Sequence, residues 1–149
     1  MAGDRTGGMN KPAAVTVLAW DRLMNAGAVA LRAARAELKR AGMPPLEWYD
    51  LLLEIERRGP VRPRDLQAFL GMAQYNVSRL IDRMARAGLV KVSPCPNDGR
   101  GQMLELTDAG RAERARMWPA YANAIHGVIE QRLDDGERVA LAGLLARVA

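Results

Sequence analysis

One cysteine, one histidine and one phenylalanine are all that 149 residues hold of those three types. A lone cysteine cannot close an intrachain disulfide, which suits a reducing cytoplasm. One His and one Cys cannot supply the usual zinc ligand set, and no Asp/Glu cluster has the loop spacing that hard cations require. Also missing are a Gly-rich phosphate loop, a nucleophile elbow, paired carboxylates, and any Ser or Cys partner for the sole His. The chain therefore reads as neither an enzyme nor a cofactor carrier. His126 stands four residues before Glu130, a spacing that predicts a local helical contact. Long apolar runs are absent as well. Leu51-Leu52-Leu53 is typical of the longest, far short of a bilayer span. The opening MAGDRTGGMNKP holds no apolar signal core and reads as a flexible tail over residues 1–13.

What is present is an ordered-protein composition, 49% apolar and 26% charged, enough for one domain, or one small domain with an extension. The formal net charge is +5, and it is not evenly spread. From Arg57 to Gly101 nine Lys/Arg (57, 58, 62, 64, 79, 83, 86, 91, 100) face three Asp/Glu (65, 82, 98), whereas the remainder is slightly acidic. Positive charge gathered on one unit fits a polyanion partner, although a solvated basic surface has the same charge count.

The apolar pattern beneath that charge is helical. Residues 14–41 lack proline and set Val15, Leu18, Leu23, Leu31 and Leu38 among Ala, Arg and Lys, predicting one long helix stopped by Gly42. LEWYDLLLEIERR reads as a second helix, apolar on more than one side and ended by Gly59-Pro60. Pro63 suits the first turn of a third, with Leu66, Phe69 and Leu70 inward and Gly71 closing it. A short turn leads to a fourth helix whose Val77, Leu80, Ile81 and Met84 make one stripe. The opposite side carries Tyr75, Arg79, Asp82 and Arg86, flanked by Asn76, Ser78 and Arg83, groups able to read base edges or hold phosphates. Gly88 caps that helix. LVKVS and QMLEL alternate as two strands, joined by a projecting loop from Pro94 to Gly101. Thr107-Asp108 opens a fifth helix expected to reach about Leu133 with a kink at Pro119, and Asp134-x-x-Glu137 has capping-box spacing before a last helix. The fold class is mainly α with a small β-hairpin, a winged helix-turn-helix.

Three stretches resemble the MarR (multiple antibiotic resistance regulator) family of transcriptional regulators. They are the approach MPPLEWYDLLLEI, the helix pair DLQAFLGMAQYNVSRLIDRMARAGLV, and the wing from Pro96-Asn97-Asp98-Gly99-Arg100 to LELTDAG, with Leu106, Thr107 and Gly110 in the family's positions. The resemblance covers roughly residues 14–148. It implies a two-fold homodimer on a pseudo-palindromic operator, most often a repressor relieved by a small effector. Residues 14–45 and 108–149 would form the dimerisation region and 46–107 the DNA-binding domain. Gln74, Tyr75, Asn76, Ser78 and Arg79 would enter the major groove, with Arg83 on the phosphate flank and Arg62 counted as a further DNA-facing cation. Arg100 would reach the minor groove, held by a salt bridge from Asp98. This chain departs from the family at Gly99, where a second arginine is common, and at Ala73 and Arg62, where helix caps are usual.

In the family a crevice beside the dimer helices holds a small aromatic or phenolic effector. Trp20, Trp48, Tyr49, Trp118 and Tyr121 are the rings available for it, and equally for packing. Cys95 lies in the wing, where Lys91 and Arg100 are placed to lower its pKa; an incidental thiol is the plainer reading. The competing function is a winged helix used for protein contacts, its basic surface serving solubility alone.

Overall fold

The computed structural model describes residues 11–70 and 74–149. Residues 1–10 of the expected tail, the closing Gly71 and the missing cap at Ala73 lie outside the described residues, as does the side chain of Phe69. The chain runs α1 (Ala14–Arg40), α2 (Leu46–Arg58), α3 (Pro63–Leu70), α4 (Gln74–Arg86), β1 (Val90–Cys95), β2 (Asp98–Leu106), α5 (Asp108–Ile125) and α6 (Asp135–Leu145), with one π-helical turn at His126–Glu130.

Local chemistry explains where these elements stop. Gly42 (φ +64°) and Gly88 (φ +75°) take up the left-handed conformation after α1 and α4. At each, the next N–H folds back onto the helix, Met43 to the Leu38 carbonyl at 2.9 Å and Leu89 to the Met84 carbonyl at 3.0 Å. That is the Schellman closure, open to glycine because a Cβ is disfavoured there. Thr107 caps α5 by accepting from the Gly110 N–H at 3.0 Å while its hydroxyl donates to the Gly88 carbonyl at 2.7 Å. The expected capping box opens α6: Asp134 Oδ1 accepts from the Glu137 N–H at 2.8 Å, and Glu137 Oε2 accepts from the Asp134 N–H at 3.0 Å.

Two apolar cores organise the chain, and α2 serves both. The first gathers Leu51, Leu52 and Ile55 of α2 with Leu66, the α4 stripe Val77, Leu80, Ile81 and Met84, and Val90, Leu104 and Leu106 of the hairpin. The second joins Ala34 and Leu38 of α1 to Leu46 and Tyr49 of α2 and to Met117, Ala120 and Ala124 of α5. Trp48 packs against each. The two-sided apolarity of LEWYDLLLEIERR is thus used in full, because one face is claimed by each core.

One expectation about the elements is corrected. The segment 94–101 is not a long loop. β1 and β2 pair antiparallel from Val90↔Leu106 to Pro94↔Gln102 and resume at Cys95↔Asp98, leaving a turn of only Pro96 and Asn97. The register slips between Pro94 and Cys95, so Gly99, Arg100 and Gly101 form a bulge. A bulge bends and twists its strand, and so aims the hairpin tip as a longer loop would not. Val61 adds a one-residue third strand, exchanging backbone hydrogen bonds with Leu104 at 2.8 and 3.1 Å. The fifth helix is α-helical through Pro119 to Ile125 and continues as the π turn, with a last helical hydrogen bond from the Leu133 N–H to the Ile129 carbonyl at 3.0 Å.

Not every apolar side chain finds a neighbour within one chain. Val15, Val17, Leu18, Trp20, Leu23 and Met24 stand exposed along the first half of α1, as do Val139, Leu144, Leu145 and Val148 at the C-terminal end. α6 buries none of its residues.

Candidate nucleic-acid interface

The α4 stripe fixes what the opposite face can do. With Val77, Leu80, Ile81 and Met84 buried, the 100° step per residue turns Asn76, Ser78, Arg79, Asp82, Arg83 and Arg86 outward, and all six are exposed. Asn76, Arg79, Asp82, Arg83 and Arg86 line one open depression of about 540 Å³. Gln74 and Tyr75 occupy the first turn of the same helix, and the placement of their side chains lies outside the described residues. An amide, a hydroxyl and guanidinium groups projecting from one helix face form a donor-rich surface that suits base edges and phosphates.

The other cations of the basic stretch divide by partner. Arg57 and Arg58 both approach Glu54, at 3.6 and 3.0 Å, and Arg64 approaches Asp65 at 3.7 Å. Such exposed pairs contribute little to stability, yet they offset part of the charge of α2 and α3 locally. The other cations of this stretch lie mostly on α4 and the hairpin.

On the hairpin, Arg100 is exposed within the bulge. The expected salt bridge from Asp98 is not what holds it. Among the described residues no ion pair joins the two side chains; instead Asp98 Oδ1 accepts from the Arg100 backbone N–H at 3.2 Å. The carboxylate shapes the turn and leaves the guanidinium to solvent, a local side chain-to-backbone bond of the kind Asp makes readily in turns.

Arg62 departs further from expectation. Its Nη2 donates to Cys95 Sγ at 3.4 Å, tying the linker before α3 to the end of β1. The Cys95 thiol is held below its ordinary range by the Asn97 N–H first, with burial opposing and the Arg62 guanidinium and Asp98 N–H assisting. Lys91 and Arg100, the neighbours suggested by sequence, are not the cause.

The five rings do not form one group. Tyr49 stacks on Tyr121, centroids 4.5 Å apart, and Trp118 lies tilted 6.2 Å from Tyr121. Trp48 sits between the cores, whereas Trp20 is 62% exposed on α1. Fourteen residues separate it from Ala34, where α1 joins the second core, about 21 Å along a helix. Beside the ring cluster are groups that the sequence reading passed over. Arg114 of α5 pairs with Glu56. Asp50 on α2 is half-buried, and burial, then Glu47 and Glu54, push its carboxyl up to about 6, with Arg35 opposing. Burial and then Asp50 also raise the Tyr121 hydroxyl. A sequence signal did exist: Glu47, Asp50 and Glu54 recur at helical spacing on a helix with two apolar faces, so one of them must approach a core. His126 makes its expected contact with Glu130, at 2.6 Å. Among the described residues no three His, Cys, Asp or Glu side chains lie close enough to hold a metal ion, and no helix is long and apolar enough to cross a membrane.

Residues 41–101 match the sequence profile of the MarR family. The transcriptional repressor NicR of Pseudomonas putida is 31% identical over 97 residues, which are 65% of this chain and 61% of NicR. The multiple antibiotic resistance protein MarR of Escherichia coli is 27% identical over 100 residues, 67% of this chain and 69% of its own. The chain thus spans less than two thirds of NicR. Among solved structures, Sco3205 of Streptomyces coelicolor, a MarR family regulator in complex with DNA, aligns with a TM-score of 0.78 at 24% identity, covering 95% of this chain and 90% of that one. Bordetella bronchiseptica BpsR, whose DNA binding is regulated by 6-hydroxynicotinic acid, aligns at 0.75 with 22% identity, covering 93% and 97%. These two likenesses establish the winged-helix fold.

Proposed function

We propose that this chain is a member of the MarR family, whose sequence profile its winged-helix stretch 41–101 matches, and that it is a transcriptional regulator binding a pseudo-palindromic duplex as a homodimer. The observation that carries the reading is the α4 face. A buried stripe turns Ser78 outward together with Asn76, Arg79 and Arg83, which line one depression, on the same unit as a bulged hairpin presenting Arg100. Arg79 is the base-reading cation, with Gln74 and Tyr75 at the helix start; Arg83 positions phosphate, and Arg100 enters the minor groove. Residues 46–107 are the DNA-binding unit. Residues 14–45 and 108–149 are the association region, because the apolar residues left uncovered lie mostly on α1 and α6. The regulator is cytoplasmic and is a repressor released by an aromatic or phenolic effector, which meets the Tyr49, Trp118 and Tyr121 cluster.

The test is selection of duplexes from a random pool by the full-length protein, followed by titration of the selected duplex at several salt concentrations. A DNA regulator should enrich an inverted repeat, and its affinity should fall steeply with salt as phosphates are neutralised and counterions released. No enrichment, with binding indifferent to salt, would leave the winged helix as a protein-contact module.

A further inference from the structure

Arg62 was expected to face DNA, but its guanidinium is turned to a sulfur in the wing. Arg62, which belongs to neither strand, donates to Cys95 Sγ at 3.4 Å from outside the hairpin. The backbone N–H groups of Asn97 and Asp98, in the hairpin turn and its far side, help to hold that thiol below its ordinary range. Contacts continue from there to Arg100. Cys95 pairs across the turn with Asp98, whose carboxylate accepts from the Arg100 N–H at 3.2 Å. On the other side of Arg100, Gly101 lies against Cys95 so closely that a Cβ there would sit 3.0 Å from Cys95 Cβ. Arg100 is thus flanked by two residues that both register on Cys95.

At its own end, Arg62 is firmly placed. Its carbonyl accepts from the Asp65 and Leu66 N–H groups, at 3.0 and 3.3 Å, opening α3, and the preceding Val61 is buried and paired with Leu104. We propose that Arg62 and Cys95 form a latch that sets the angle of the wing against the helix pair, so that Arg62 is a positioning residue for Arg100 rather than a DNA contact of its own. Without it, the hydrogen bonds between the hairpin and the α2–α3 linker, among the described residues, are those of the Val61–Leu104 bridge, one residue wide and placed well below the tip. A two-stranded ribbon anchored only at its base can twist. An arginine aimed at a groove about 6 Å wide tolerates little of that motion.

This inference rests on the DNA-binding reading, so its test has an arm that needs no DNA. In the free full-length protein, hydrogen exchange at Asn97, Asp98 and Arg100 should speed up at least threefold in Arg62→Ala and in Cys95→Val, which fills the site but accepts no hydrogen bond. Cys95→Ser, which keeps an acceptor, should stay near the parent. Unchanged exchange in Arg62→Ala and Cys95→Val overturns the latch, whether or not the protein binds DNA. With the selected duplex, Arg62→Ala and Cys95→Val should each weaken binding about five- to tenfold, and Arg62→Ala added to Arg100→Ala should cost less than a further twofold. In that double variant the salt slope should match that of Arg100→Ala, since no phosphate contact of Arg62 is lost. Additive losses with a shallower slope would make Arg62 a direct contact and sink the proposal. Failure to select any duplex would instead refute the DNA-binding reading, leaving hydrogen exchange to decide the latch.

Discussion

Asp50→Asn should stabilise this protein at neutral pH and leave it unchanged in acid. Asp50 sits half-buried on α2 with Glu47 one turn before it and Glu54 one turn after, and its carboxyl is pushed up to about 6 from 3.8. The folded state therefore holds the proton more tightly than the unfolded chain does. Between those two values the native form binds more protons, so stability falls as pH rises, and the full penalty is reached above pH 6. Two units at 1.36 kcal/mol each would make that penalty ~3 kcal/mol. Asp50 is partly open to solvent and Arg35 opposes its neighbours, so screening reduces the expected penalty to ~1–1.5 kcal/mol. Asparagine keeps the shape and removes the charge. Urea unfolding of both proteins at one chain concentration should place the Asp50→Asn midpoint ~0.5 M higher at pH 7.5, given m near 2 kcal/mol/M. At about pH 3, below the unfolded value, Asp50 is protonated in both the folded and the unfolded state, and the midpoints should nearly coincide. An equal or lower midpoint for Asp50→Asn at pH 7.5, or a gap that ignores pH, refutes the reasoning.

Gly110→Ala would set a Cβ 2.1 Å from the Leu89 carbonyl oxygen and 2.8 Å from Leu106 Cδ1, so the variant should lose ~3 kcal/mol in urea, and a loss below ~1 would mean that the α5 start moves freely. Thr107→Val removes the hydroxyl bond to the Gly88 carbonyl after α4 and the one that caps α5 at the Gly110 N–H and should cost ~1–2 kcal/mol in the same assay, whereas no loss would leave the cap without energetic weight. Leu144→Glu, on an exposed apolar position of α6, should halve the mass seen by light scattering; an unchanged mass takes that position out of the association surface. On the selected duplex, Arg79→Ala should cost ~1–3 kcal/mol of specific affinity, while Arg83→Ala should weaken selected and random duplexes alike; the reverse pattern exchanges their roles.

Much of the fold was legible because its punctuation is local. Gly42, Gly59 and Gly88 end helices, Thr107 and Asp134 begin them, and the i, i+3, i+4, i+7 stripe of α4 identified its buried side without reference to any other element. What escaped was set by partners distant in sequence. Pro94, Pro96, Gly99 and Gly101 erase the two-residue alternation, so the strands seemed to stop early. In the structure they continue, with a two-residue turn at Pro96 and Asn97 and the register absorbed by a bulge. Arg62 was classed by its charge, and nothing within a few residues of it points to a thiol 33 positions away. The rings were pooled by type, although the length of α1 separates Trp20 from the rest. The π turn at His126–Glu130 has no distinctive pattern in HGVIE that would have announced it.

The double duty of α2 has a consequence for anyone wishing to transplant the winged helix. Cutting the chain before Leu46 and after Thr107 would keep every residue of the first core yet lay bare Leu46, Tyr49 and the partly covered Leu53, which in the whole chain face α1 and α5. The excised module would carry an oily seam along one helix, prone to self-association before it met any DNA. Recoding those three positions with polar residues, while leaving Leu51, Leu52 and Ile55 alone, is the minimum alteration for a portable version. Trp48 sets the limit of that scheme, because it packs against both cores and cannot be made wholly polar without loosening the one that must be kept.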